Sequence, residues 1–212
     1  MRMRADGIIF DVDGTLWDST EIVAGAWNQA IEEEGIRDIH LTGEMLKGLF
    51  GKPMDVIAKS VLPEASEAQR EHIMERCCRY EHEALSEYEG DLTFPDVASV
   101  MRRLAEKYPL FIVSNCQSGY IELFLEKTGL GDIVTDMECF GNTKCSKGEN
   151  IRSVADRNEL KYPVYIGDTL GDYEACEMAK VPMIFAAYGF GEVLDAAAKI
   201  GQFQELLEIF TE

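Results

Sequence analysis

The pattern of apolar and polar positions changes character along the chain. Ile8-Ile9-Phe10 is a short apolar run, too short for a helix and typical of a strand buried on both faces. It ends on Asp11 and Asp13. Gly14 then breaks it, and the hydroxyls of Thr15 and Ser19 follow. From there to Gly90 the periodicity is helical. Ile22, Val23, Ala26, Trp27, Ala30 and Ile31 share one face, closed by Gly35. Shorter helices are expected over 44–49 and 53–61, with Pro53 in a first turn. A long polar helix over 66–88 carries Ile73, Cys77, Tyr80 and Ala84 on one stripe. No strand is expected between Ser19 and Gly90, so the block reads as an all-helical insertion after the first strand.

Beyond Gly90, short apolar runs alternate with helices. Strands are expected at 109–113, 132–135, 163–166 and 182–185, the last of these closing the set, with a further extended piece at 137–139. A helix starts at Pro95, and others cover 120–127, 147–158, 170–179 and 203–210. This alternation implies an α/β fold: a Rossmann-like parallel sheet with helices on both faces and right-handed crossovers. The expected boundaries are 1–16 and 91–212 for the core and 17–90 for the helical block.

A chain of 212 residues is long enough for such a core with a smaller inserted unit. No apolar run approaches membrane-spanning length, so no membrane partner is expected. The basic start Met1-Arg2-Met3-Arg4 leads into an apolar run that Asp11 cuts short. No secretory leader is expected there, and a cytoplasmic location follows by default. A net charge of −19 argues against nucleic acid as a partner, because phosphate backbones need a basic stripe. The six cysteines form no C-x-x-C pair, and His40, His72 and His82 lack zinc-site spacing. Reduced thiols are expected, with Cys116 beside the site described next.

Parallel strands finish on one edge, and ligands bind beyond their carboxyl ends. Three strand ends carry polar groups: Asp11 and Asp13, Ser114 and Asn115, and Asp168 with Asp172. Lys147, opening the helix before the fourth strand, can reach the same edge. Asp-Gly alone is an ordinary turn dipeptide, but here the strand-then-polar pattern recurs. Neighbouring carboxylates repel, and a divalent cation with oxygen ligands relieves that repulsion. Acids, two neutral donors and one cation together suit phosphoryl transfer.

Asp11-Val12-Asp13-Gly14-Thr15 resembles the DxDGT signature of the haloacid dehalogenase-like superfamily. Ile112-Val113-Ser114-Asn115 resembles its second motif, Lys147 its third, and Gly167-Asp168-Thr169-Leu170-Gly171-Asp172 its fourth, in the same order. The helical block after the first motif resembles the cap of the phosphoglycolate phosphatase-like branch. The resemblance implies a Mg²⁺-dependent phosphatase acting on a small phosphorylated metabolite. Asp11 would be the nucleophile, forming a phosphoaspartyl intermediate. Asp13 would protonate the leaving alkoxide and then accept a proton from water. Mg²⁺ would be held by Asp11, the carbonyl of Asp13, and Asp168, while Asp172 would orient water or Lys147. Thr15, Ser114 and the amide of Asn115 fall among the substrate-binding positions, and Lys147 would neutralise phosphate and the Asp11 carboxylate together.

Lys147 is followed by Gly148, where this branch often has proline, and Lys144 is a competitor; Lys147 directly precedes the apolar pattern Ile151, Val154, Ala155. Lys52, in the loop Gly51-Lys52-Pro53, would contact an anionic leaving group, since such a loop faces the site in the family. Exposure to solvent alone is the competing reading of it. Trp27 is expected in the core of its helix and Trp17 at a hinge or mouth. Two other functions remain open on these residues. One is a phosphomutase that returns the phosphoryl group to a sugar. The other is a phospho-accepting signalling domain without turnover.

Overall fold

The structure is a computed structural model describing residues 3–210. Met1 and Arg2 of the basic start, and Thr211 and Glu212 at the end of the expected core, lie outside the described residues. Strand β1 (Gly7–Phe10) is followed by α1 (Thr20–Glu33), α2 (Gly43–Lys47), α3 (Met54–Val61) and α4 (Glu67–Glu87). The chain continues through α5 (Val97–Ala105), β2 (Leu110–Ser114), α6 (Tyr120–Thr128), β3 (Val134–Cys139), α7 (Phe140–Thr143) and α8 (Lys147–Arg157). It ends with β4 (Pro163–Gly167), α9 (Leu170–Ala179), β5 (Met183–Ala186), β6 (Ala198–Ile200), a 3-10 turn (Phe203–Glu205) and α10 (Leu206–Phe210).

The six strands form one parallel sheet in the order β3-β2-β1-β4-β5-β6. β1 is central, and the chain leaves it first toward β2 and β3, then crosses to β4 on its other side. That reversal makes the ends of β1, β2 and β4 a topological switch point, where an α/β sheet opens a crevice. Alternate residues of the inner strands feed two apolar layers. Ile8, Phe10 and Ile112 face α5, α6 and α10, in a layer continuous with Trp27 and Cys77 of the helical block. Ile9, Phe111, Val113 and Tyr165 face α8 and α9. β1, β2 and β4 are buried throughout, as expected of strands covered on both faces.

Besides the short helix α7, which no sequence pattern announced, three features differ from the sequence expectations. The pieces at 132–135 and 137–139 are one strand, β3, whose register with β2 shifts between Leu110 and Phe111. As an edge strand it is only partly buried, so its apolar signal is broken. β5 is not the last strand: β6 pairs with it, and three residues with one buried position give no recognisable pattern. The segment 203–210 is a 3-10 turn leading into a short helix rather than one helix.

Among the described residues no strand interrupts α1–α4, and no helix is long and apolar enough to cross a membrane. The two chain crossings that bound the helical block run side by side. Asp18 N–H donates to Leu92 O at 2.9 Å and Phe94 N–H donates to Leu16 O at 3.0 Å. Trp17 lies at this crossing, packed edge-on against Tyr120 and Phe124. It is buried, so the expected place at a mouth is corrected.

Candidate active site

The turn after β1 is shaped by close approach. Gly14 has φ +80°, and a methyl group there would overlap the Asp168 carboxylate. Only glycine combines that backbone with that proximity. Asp168 itself is fully buried and accepts from Thr15 Oγ1 at 3.3 Å and from the Phe190 N–H at 2.7 Å. Thr15, expected against substrate, instead turns its buried hydroxyl to Asp168, because the tight turn folds it back under the strand end.

Lys147 is the first residue of α8, a helix started by a capping box between Ser146 and Glu149. Its Nζ lies 3.0 Å from Asp11 Oδ1 and 2.6 Å from Asp172 Oδ1, with all three side chains buried. Toward Asp11 the charges face each other without the alignment of a hydrogen bond, and among the described residues Oδ1 accepts from no other donor. Burial works against the ammonium, but Asp11 and Asp172 outweigh it and hold its pKa above the ordinary lysine value. Lys144, the competing lysine, is exposed, with its Nζ over the Phe140 ring. Gly148, the departure from the family pattern, lies where a side chain would press on Ala175 O and Met178, so it lets α8 pack closely on α9.

Asp172 is saturated. Its Oδ1 takes Lys147, and its Oδ2 accepts from Thr169 Oγ1 at 2.7 Å, Thr169 N–H at 3.0 Å and Asp168 N–H at 3.2 Å. It completes the capping box of α9 while it holds the lysine. Burial raises its pKa, yet Lys147 and these donors win, and the carboxyl stays below its ordinary value. Asp168 is the reverse: burial, then the charges of Asp172 and Asp11, push it well above. Asp11 is pushed up to about 7, chiefly by burial, against the pull of Lys147.

Asp13 takes a different environment. Its Oδ1 accepts from Tyr120 OH at 2.7 Å, Ser19 Oγ at 3.0 Å and Trp17 Nε1 at 3.1 Å. All three donors converge on one oxygen, and Oδ2 has no hydrogen-bond donor among the described residues. Burial raises the Asp13 carboxyl to about 6 even though these bonds favour the charged form. A carboxyl so placed can exchange a proton near neutral pH.

These groups open into one cavity, bounded on the sheet side by Asp11, Asp13 and Ser114 and on the helical side by Trp27, Lys52 and Glu81. Asn115 also lines it, and its Nδ2 donates to Gly51 O at 2.8 Å, tying the second strand end to the loop before α3. Lys52 is exposed and donates to Gly48 O of its own loop at 2.8 Å. Cys116 lines the cavity with its thiol pushed well up, burial being the main cause.

One oxygen each of Asp11, Asp168 and Asp172 lie within 4.8 Å of one another, so a divalent cation fits this cluster. Among the described residues three acids there face one lysine, and the unsatisfied Asp11 oxygen and the raised Asp168 both call for more positive charge. Asp172 is the poorest ligand of the three because its oxygens are already taken.

A sequence profile described as haloacid dehalogenase-like hydrolase matches residues 8–186, which hold every acid, lysine and hydroxyl named above, though not Phe190. The chain belongs to that family. Among its relatives, a phosphoglycolate phosphatase of Rhodobacter capsulatus is 26% identical over 215 residues, covering 95% of each chain. One of Aliivibrio fischeri is 26% identical over 194 residues, covering 86% of this chain and 84% of its own. A haloacid dehalogenase-like hydrolase of Streptococcus pneumoniae shares the fold with a TM-score of 0.82 at 19% identity, over 96% of this chain and 97% of its own. CbbY of Rhodobacter sphaeroides, solved in complex with phosphate, does so with a TM-score of 0.80 at 19% identity, over 96% of each chain.

Sequence reasoning about this hydrolase missed Tyr120, Glu81, Gln117 and Phe190. Tyr120 and Glu81 sit on helices where their letters read as an apolar stripe member and one acid among many. Phe190 acts through its backbone, which carries no letter at all.

Proposed function

We propose that this hydrolase is a Mg²⁺-dependent phosphatase of small phosphorylated metabolites, with residues 17–90 acting as a cap over the site. The observation that carries the reading is Asp11, buried at 3.0 Å from Lys147 and grouped with Asp168, at the base of a cavity that Asp13 also lines. The names of the relatives, phosphoglycolate phosphatases, support the same class.

In this reading Asp11 attacks phosphorus, the bond to the leaving oxygen breaks, and Asp13 gives that oxygen a proton. A water then attacks phosphorus of the acyl phosphate on Asp11 and gives a proton to Asp13, the bond from phosphorus to the Asp11 oxygen breaks, and inorganic phosphate leaves. Tyr120, Ser19 and Trp17 hold Asp13 by one oxygen, so the free oxygen is the one aimed at the proton transfer. Ser114 and the amide of Asn115 donate to the phosphate, Lys147 keeps Asp11 ionised and oriented, and Lys52 attracts the dianionic ester at the mouth. Asp11, Asp168 and the carbonyl of Asp13 would hold Mg²⁺, which supplies charge neutralisation for the transferring group.

The test is phosphate release from a panel of phosphorylated metabolites, with Mg²⁺ and with chelator, for wild type and Asp11→Asn. Steady, Mg²⁺-dependent turnover without any bisphosphate activator is expected, lost in Asp11→Asn by a factor of about 10³ or more. A folded Asp11→Asn protein with normal rates would refute the nucleophile, and a bisphosphate requirement would indicate a mutase.

A further inference from the structure

The chemistry above leaves one buried charge in the same cavity without a task. Glu81, on α4, is 3% exposed. Its Oε2 accepts from Trp27 Nε1 at 2.8 Å and its Oε1 accepts from Gln117 Nε2 at 2.8 Å. Both donors are neutral, and among the described residues no cation pairs with it. A buried carboxylate normally has a charged partner, so the pairing here is incomplete. Each carboxylate oxygen can accept two hydrogen bonds, and each of these accepts one from the protein. Burial pushes the carboxyl up to about 7, the Gln117 and Trp27 bonds pull it back, and Asp13 pushes it up again.

Position gives the charge its meaning. Asp13 protonates the leaving oxygen, so the remainder of the leaving group extends from Asp13 into the cavity. Trp27, Glu81 and Gln117 line that cavity together with Asp13. Above about pH 7, where Glu81 is ionised, a leaving group carrying its own carboxylate would meet it in a poorly hydrated space, where like charges repel strongly. Lys52 does not offset this. It is exposed, screened by solvent and bonded to its own loop, whereas Glu81 is held by two bonds and cannot turn away.

We propose that Glu81, held by Trp27 and Gln117, is the specificity-determining residue of this site. It accepts a hydrogen bond from a hydroxyl or ammonium group of the leaving alcohol and rejects esters whose leaving group bears a carboxylate. The proposal rests on the phosphatase reading and narrows it. The chain's relatives are named for phosphoglycolate, whereas this site favours neutral or amino-bearing phosphate monoesters.

The experiment compares kcat/KM at about pH 8.5, where Glu81 is ionised, for three two-carbon esters: 2-hydroxyethyl phosphate, 2-aminoethyl phosphate and 2-phosphoglycolate. 4-Nitrophenyl phosphate serves as a general reporter of turnover. Wild type is expected to prefer the better of the first two over phosphoglycolate by at least ~10-fold, the scale of discrimination a buried like charge provides. Glu81→Gln keeps the side-chain volume. Trp27 can still donate to its oxygen, and Gln117 can turn its amide to accept from the new NH₂. In that variant the ratio should shift toward phosphoglycolate by ~10-fold or more. A loss confined to the aminoethyl ester assigns the site to ammonium, and a loss on the hydroxyethyl ester assigns it to hydroxyl. Wild type that hydrolyses phosphoglycolate as well as the other two overturns the proposal and requires no variant to fold. An unchanged ratio in folded Glu81→Gln overturns it equally. Failure of wild type on all four esters, 4-nitrophenyl phosphate included, would instead remove the phosphatase reading beneath it.

Discussion

The two walls of the cavity are built differently. On the sheet side, Asp11, Lys147 and Asp172 are buried, mutually charged and supplied by adjacent strand ends and the helices beside them. Asp172 alone serves the lysine, the start of α9 and the amide of Asp168. On the helical side the groups stand apart. Lys52 bonds its own loop, Glu81 is held by two neutral donors, and Asn115 reaches across to the Gly51 carbonyl. A charged, cross-braced wall fixes geometry, whereas a wall held by a few neutral bonds can change one residue without disturbing the rest. The arrangement suits a site whose chemistry is constant and whose leaving-group preference is local.

Replacing Lys147 is expected to have the largest effect. Lys147→Met leaves Asp11 and Asp172 buried without their cation, a loss of about 3–5 kcal/mol in stability. Urea unfolding should show it, together with a fall in turnover of ~10³-fold. A folded Lys147→Met protein of unchanged stability would mean that the sheet-side wall is not braced by this pair.

A middle-sized effect is expected at Glu81, read as stability against pH in the metal-free protein. Its pKa is raised from 4.5 to about 7 in the folded chain. The folded state therefore holds the proton more tightly than the unfolded one. The contribution of this group is fully present below pH 4.5 and is lost as pH rises to about 7. Glu81→Gln removes that slope, so it should gain on wild type by on the order of 1–3 kcal/mol between pH 4.5 and pH 8. Parallel melting curves across that range would contradict the burial argument.

Lys52→Ala should matter least. An exposed, solvated cation at the mouth acts at a distance, so KM is expected to rise by roughly 2–3-fold at low ionic strength. The difference should vanish in about 0.5 M salt. A larger, salt-independent loss would place Lys52 in direct contact with substrate and make the helical wall more like the sheet wall.

Much of the sheet side could be read along the chain. Ile8-Ile9-Phe10 and Val164-Tyr165-Ile166 are apolar runs ending on acids, and a parallel sheet brings such ends to one edge without further information. Lys147 was separable from Lys144 because the helical pattern begins directly after it. The edge of the sheet was less legible. β3 and β6 are short and partly exposed, so packing on one neighbour, rather than hydrophobic alternation, makes them strands.

The sequence by itself determined the order of the inner strands and of the longer helices, the helical block after β1, and the polar groups delivered to the strand ends. Local periodicity and turn residues carry that information because they depend on near neighbours. Only the tertiary structure decided that Thr15 turns to Asp168, that Trp17 is buried at the crossing, and that Tyr120 and Glu81 face the cavity. Those outcomes depend on how α4 and α6 pack over the end of the sheet, across more than 30 positions of chain in the case of Glu81 and Gln117. An isolated acid on a polar helix looks like any solvated one until burial removes its water.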